Sequence, residues 1–154
     1  MVASIHKSTT MDKIEFSSKS AEFSEFSNFY PATFEIAGVT YSTVEHYFQS
    51  QKFPTDPVLQ SRIRNAEKPH QARRLGKTKS THFRTDWNEA RDEIMWEGLV
   101  GKFSQNPELM ELLKSTDGKT LVEKSFWDGY WGSGRSGRGL NKMGQFLERI
   151  RDSQ

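Results

Sequence analysis

Cysteine is missing from all 154 residues. That excludes disulfides and thiolate metal sites, and it fits a reducing, intracellular setting such as the cytoplasm. No apolar run approaches the ~20 residues a membrane helix needs. The opening MVASIHKSTT has one lysine and no apolar core of the kind a secretory leader carries. Residues 1–12 are therefore expected to be a flexible lead-in and residues 13–154 the folded domain. Internal repeats and low-complexity tracts are lacking, and so is any linker long enough to separate one domain from another. The histidines (His6, His46, His70, His82) have no ligand spacing, so neither a metal site nor a cofactor is expected.

What is present suits one globular domain: 34% hydrophobic and 27% charged residues, with 12% aromatics as bulk for a core and a stacking site. Net charge is only +2, yet it is unevenly placed. Arg62, Arg64, Lys68, Arg73, Arg74, Lys77, Lys79 and Arg84 face a single acid, Glu67, before Asp86, Glu89, Asp92, Glu93 and Glu97 reverse the sign. Such a block can meet phosphates, with Arg73 and Arg74 the candidates, or can simply be a solvated surface.

KIEFSS (Lys13 to Ser18) reads as a strand. ATFEI and VTYS, joined by Ala37-Gly38, read as a hairpin. Ser42 and Glu45 have capping-box spacing for a helix that stops before Pro54. Asp56-Pro57 opens a second helix to about Asn65, and a third follows Pro69 and ends at Gly76. The longest helix starts near Thr85 and carries Trp87, Ile94, Met95, Leu99 and Phe103 inward. Asn106-Pro107 caps another with Leu109, Leu112 and Leu113 inside. TLVEK (Thr120 to Lys124) is a candidate strand. A glycine-rich loop follows, and Asn141 to about Arg151 forms a closing amphipathic helix. The expected fold is α+β, a single helix-dominated domain with a small, mainly antiparallel sheet.

Three segments can carry chemistry. In TVEHYFQSQKF (43–53), helical spacing puts Glu45, Gln49 and Lys52 on one face, apart from Val44, Tyr47 and Phe48. Burial there would lower the Lys52 pKa and make a neutral, nucleophilic amine. The bland alternative is a capping Glu45 and a surface Glu–Lys pair. Gly132, Gly134 and Gly137 spell G-x-G-x-x-G, but no strand–glycine–helix unit fits a dinucleotide fold, and no P-loop lysine follows. What remains is a flexible loop offering backbone N–H groups to a ligand. Beside it Asp128 sits among Trp127, Tyr130 and Trp131, a setting for a stacked base or ribose, or else an Asx turn with core tryptophans. In FSEFSNFYP (23–31), Ser24, Ser27 and Asn28 can bond a sugar or base, or make turns.

Together these segments resemble the NADAR family, named for a proposed link to NAD and ADP-ribose. The likeness runs from about Phe23 to Arg151. It rests on FSNF (26–29), EHYFQSQKF (45–53), D-x-x-W-G-x-G (128–134), G-x-N-x-x-G (139–144), Lys102-Phe103 and Leu121 to Glu123. The resemblance implies an N-glycosidase: one branch removes ADP-ribose from the amino group of guanine in nucleic acid, another cleaves ribosylaminopyrimidine phosphates of riboflavin biosynthesis. Both substrates are glycosylamines. That implies a Schiff base between Lys52 and ribose C1, proton transfer by Glu45, and Asp128 sharing that role or holding ribose hydroxyls. It further implies substrate contacts from Ser27, Asn28, Phe29, Gln49, Glu123, Trp131, Gly132, Gly134 and Asn141. The expected partner is an ADP-ribosylated nucleobase or nucleic acid, or a small ribosylamine phosphate, with no membrane. A reading of another class is a non-catalytic ADP-ribose or nucleic-acid binding module.

Overall fold

The computed structural model describes residues 12–154. The lead-in expected over 1–12, and His6 with it, lies outside the described residues except for Asp12. Among the described residues there are four strands and six α-helices. The strands are β1 (Lys13–Phe16), β2 (Phe34–Ile36), β3 (Val39–Tyr41) and β4 (Thr120–Glu123). The helices are α1 (Val44–Ser50), α2 (Pro57–Arg64), α3 (Pro69–Leu75), α4 (Trp87–Gln105), α5 (Pro107–Lys114) and α6 (Lys142–Asp152). The class is α+β and helix-dominated, as expected. The strands form two separate pairs: β2–β3 is antiparallel, but β1–β4 is parallel, which corrects the antiparallel expectation there. A tight hairpin enforces antiparallel pairing, whereas strands far apart in sequence return through helical crossovers and can align in parallel. Among the described residues no helix is long and apolar enough to cross a membrane.

The chain forms two compact units, one of residues 28–107 and the other of residues up to Ser27 joined by 108–154. In the first, the β2–β3 hairpin turns at Ala37 (φ 52°) and Gly38 (φ 81°). Two left-handed residues in sequence match the twist of the strands, with Ile36 paired to Val39. α1 packs against α2, α3, α4 and β3. α4 approaches closely because side chains are missing where they would collide: a Cβ on Gly98 would come within 3.0 Å of Tyr47, and one on Gly101 within 2.9 Å of Phe34. Phe34, Tyr41 and Tyr47 fill this contact, and Phe53, Leu59, Ile63 and Ala72 form the core beneath α2 and α3.

In the second unit β1 pairs with β4 from Lys13↔Thr120 to Phe16↔Glu123. Both strands are shorter than their sequence pattern. Ser17 leaves the sheet because its carbonyl takes the N–H and Oγ of Ser20 in a turn. α6 lays Met143, Phe146, Leu147 and Ile150 inward. Arg151 is buried as well, and its Nη1 donates to the carbonyls of Thr116 (3.0 Å) and Lys119 (2.7 Å), fixing the turn that leads into β4.

Candidate active site

The cap of α1 is Thr43, not Ser42: Thr43 is extended (φ −147°, ψ 163°), and its Oγ1 accepts the N–H of His46 at 3.1 Å. The cap expected at Ser42 therefore sits one residue on, at Thr43, with His46 rather than an acid three residues later, and Glu45 does no capping. Its backbone N–H donates instead to the carbonyl of Asn28. His46 is buried by the same geometry. Nδ1 lies 2.8 Å from the Thr43 hydroxyl and Nε2 2.9 Å from the carbonyl of Ala66, so this ring has a structural post.

The Glu45 side chain is thereby free to face the interior of its unit. It is buried, and a buried carboxylate needs donors. Gln49, one turn on, donates Nε2 to Oε2 at 2.7 Å. Arg73 from α3 donates Nε to Oε2 at 3.1 Å and Nη2 to Oε1 at 3.4 Å. The guanidinium of Arg73 also lies over the ring of Phe29, 4.4 Å from its centroid. Arg73, expected to face phosphate, is thus the ion-pair partner of Glu45. Arg74, its neighbour, is exposed.

Lys52 does not lie on the helix. α1 ends at Ser50, and Lys52 sits in the tight turn beyond, its N–H donating to the carbonyl of Gln49 and its own carbonyl receiving the N–H of Arg84. Pro54 forbids a longer helix, which explains why the i+7 spacing fails. The turn still leaves the amine close enough to Glu45 to feel its charge. Lys52 is half-buried, with Nζ 5.5 Å from the centroid of the Trp87 ring. Burial holds its pKa below the ordinary 10.5. The Glu45 carboxylate opposes this by favouring the cation, and Arg73 and Lys77 reinforce it by repulsion.

Two buried acceptors in this unit have no hydrogen-bond donor: Gln49 Oε1 and Asn28 Oδ1. The Gln49 amide cannot be flipped, because a carboxylate accepts only from its NH₂ end. Asn28 donates Nδ2 to the sulfur of Met95 at 3.2 Å. A buried acceptor left open is costly, and both of these could take an N–H or O–H donor. Gly76 is part of this cradle and sequence reasoning missed it. A Cβ there would overlap the Gln49 carboxamide, although its backbone (φ −63°) is open to any residue. No local signal marks it, because the conflict arises only across α1 and α3.

The other predicted residues belong to the second unit. Asp128 Oδ1 accepts the N–H groups of Tyr130 and Trp131, both at 2.9 Å, so it makes the Asx turn that was one of the two alternatives. The core-tryptophan half of that alternative fails for Trp127, which is 89% exposed. Trp131 packs edge-on against Tyr130 and Phe146. Some of the glycine loop's N–H groups are taken up within the loop. Those of Ser133, Gly137, Gly139, Leu140 and Asn141 bond to carbonyls of Glu123, Gly134, Ser133, Gly129 and Gly132. Gly132 and Gly134 are glycine because a Cβ would come within 2.8 Å of the Glu123 carbonyl and 2.9 Å of Gly129 Cα. Asn141 is committed to β4, its Oδ1 accepting from Glu123 N–H (2.9 Å) and its Nδ2 donating to the carbonyl of Leu121 (2.8 Å). Ser27 is buried at the end of a single 3₁₀ turn, Ser24–Phe26. Among the described residues no three His, Asp or Glu side chains cluster as a metal site would require.

A small α+β fold with a buried Glu–Gln pair on one short helix and a half-buried lysine just past it defines the class, and the chain belongs to the NADAR family. The NADAR domain model matches residues 15–153, both units together. The chain is similar to the N-glycosidase YbiA of Escherichia coli (strain K12), 38% identical over 139 residues, covering 90% of this chain and 86% of that one. It is 36% identical to an N-glycosidase of Nostoc punctiforme, covering 82% and 83%. It is 38% identical to the chloroplastic riboflavin biosynthesis protein PYRR of Zea mays, over 84% of this chain but 23% of that one. The solved NMR structure of the E. coli protein superposes with a TM-score of 0.82 at 37% identity, over 92% of this chain and 84% of that one.

Proposed function

We propose that this protein is an N-glycosidase that hydrolyses the bond between ribose C1 and an exocyclic amine, with Lys52 as nucleophile. The observation that carries this is the state of Lys52: a half-buried amine whose charge burial disfavours, within the field of the Glu45 carboxylate. A glycosylamine opens to an imine when a proton moves from nitrogen to the ring oxygen. The neutral Lys52 adds to C1 of that imine. Glu45 receives in turn the two protons this nitrogen sheds and returns each to the exocyclic nitrogen, which leaves as the free amine while Lys52 keeps the imine to C1. Water then adds to the Lys52 imine, releasing the sugar aldehyde and the original lysine. The sum is one water consumed and one C–N bond broken. Gln49 Oε1 and Asn28 Oδ1 are acceptors for the substrate's N–H or hydroxyl groups. The names of the bacterial relatives support the activity.

The substrate we prefer is ADP-ribose on the amino group of guanine in nucleic acid, supported by the exposed cations Arg62, Lys68, Arg74, Lys77 and Lys79. The second reading, a ribosylaminopyrimidine phosphate, is favoured by the maize relative's place in riboflavin biosynthesis. Turnover of an ADP-ribosylated guanine oligonucleotide compared with the pyrimidine ribosylamine separates the two. Borohydride added during turnover should reduce the imine and leave the sugar on Lys52, visible by mass. Lys52→Ala and Lys52→Arg should both be inactive, since a guanidinium stays protonated. An active Arg variant without adduct would instead assign the chemistry to carboxylates. Tight ligand retention without turnover would make the protein a binding module.

A further inference from the structure

Phe126 and Trp127 are aromatic rings turned to solvent, 52% and 89% exposed, in contact edge to face at 4.6 Å. A folded chain rarely leaves its largest apolar side chain almost wholly wet without use. The loop around them is built to hold them there. Gly134 and Gly139 press against Gly129, where a Cβ on either would come within 2.9 or 2.8 Å of its Cα, and Leu140 N–H bonds the Gly129 carbonyl at 2.8 Å. This clasp brings the strip 134–140 alongside the aromatic pair. Arg135 uses the position, its guanidinium 5.5 Å from the centroid of Phe126. Lys124, Arg135 and Arg138 are all exposed, and between Lys124 and Lys142 the single acid is Asp128, half-buried in its turn.

We infer that Phe126, Trp127 and Arg135 form a docking platform for single-stranded nucleic acid, on whose rings unpaired bases stack while Arg135, Arg138 and Lys124 meet the phosphates. Exposed rings interleaved with cations are the pattern that binds bases without reading their sequence. A membrane surface would call for a broader aliphatic face, and among the described residues of this loop the other exposed large apolar side chain is Leu140. The platform deepens the nucleic-acid reading above and rests on it for its place in the reaction, but its test does not need turnover.

The full chain is titrated into a fluorescein-labelled oligothymidylate of ten residues, unmodified, in low salt. The intact protein should bind it more tightly than a duplex of the same length, because only unpaired bases offer their faces. Phe126→Ala with Trp127→Ala should weaken binding by about tenfold or more, the scale of one lost stack. Trp127→Phe should restore most of it. Bound oligonucleotide should quench fluorescence that the Trp127→Phe variant no longer shows. Equal binding of strand and duplex, or unchanged affinity in the double alanine variant, would overturn the platform. Binding that appears only on vesicles of phosphatidylcholine and phosphatidylserine (3:1) would also overturn it, in favour of a membrane surface. Ring-dependent oligonucleotide binding by a protein that turns over neither glycosylamine would leave the platform standing and remove the enzymatic reading instead.

Discussion

Arg73 is anchored over Phe29 and forks onto Glu45, with Nε and Nη2 on the two carboxylate oxygens at 3.1 and 3.4 Å. The pair is lopsided: the Arg73 side chain is 53% exposed and that of Glu45 3%. Solvent reaches the cation and screens it, while the carboxylate depends on its protein donors.

Arg73→Gln should therefore act mainly by leaving Glu45 short of donors. A loss of about 1–2 kcal/mol in urea unfolding is expected, the scale of an under-satisfied buried acceptor. The same change removes a cation that holds the Lys52 pKa down. If neutral Lys52 is the nucleophile, the acidic limb of the kcat/KM profile moves to higher pH. An unmoved limb would deny Arg73 that electrostatic role.

Lys52 predicts a pH dependence of stability as well. Its folded pKa lies below its ordinary 10.5, with burial the largest cause. The unfolded chain therefore binds more protons through that window, and stability rises as pH climbs toward 10.5. Below the window the folded state carries a poorly solvated charge. Lys52→Met should raise Tm at pH 7, and the gain should shrink as pH approaches 10.5. Calorimetry across pH 6 to 10 would check it, and a constant gain would assign the effect to packing alone.

Gly76→Ala separates local preference from tertiary fit. By the lower entropy of the unfolded chain alone, alanine at φ −63° should stabilise by about 0.4–1 kcal/mol. The Cβ, however, would overlap the Gln49 carboxamide, and overpacking of this kind costs about 1–3 kcal/mol. Destabilisation is expected, with a rise in KM because Gln49 must move. A stabilised variant would show that the Gln49 side chain yields freely.

Asn141 holds the start of α6 against β4 through both ends of its amide. It also sits in the left-handed region at φ 53°, which asparagine tolerates better than alanine. Asn141→Ala should cost about 2–4 kcal/mol, two backbone partners being left open. Asn141→Asp keeps the acceptor for Glu123 N–H and should lose less. Near-native stability with a raised KM would return Asn141 to the role of sugar ligand.

The helices were legible because their signals are local. Asp56 caps α2 through its carboxylate to Leu59 N–H at 3.1 Å, with Pro57 at the first helical position. The hairpin turn at Ala37-Gly38 was equally plain. The errors came where neighbouring residues compete for one post. Ser42 and Thr43 can both cap, and the extended conformation of Thr43 decided it.

By itself the sequence determined the helix-dominated α+β class, the order of nearly all elements, the family, and the grouping of Glu45 and Gln49. These follow from periodicity, caps and motif spacing within a dozen residues. Only the tertiary structure decided that Arg73 belongs to Glu45, that Gly76 leaves room for Gln49, that β1 and β4 run parallel, and that Trp127 faces water. Each depends on residues distant in sequence meeting, or failing to meet. Such contacts form when packing whole elements together outweighs the entropy of closing the chain between them, a balance no short pattern records.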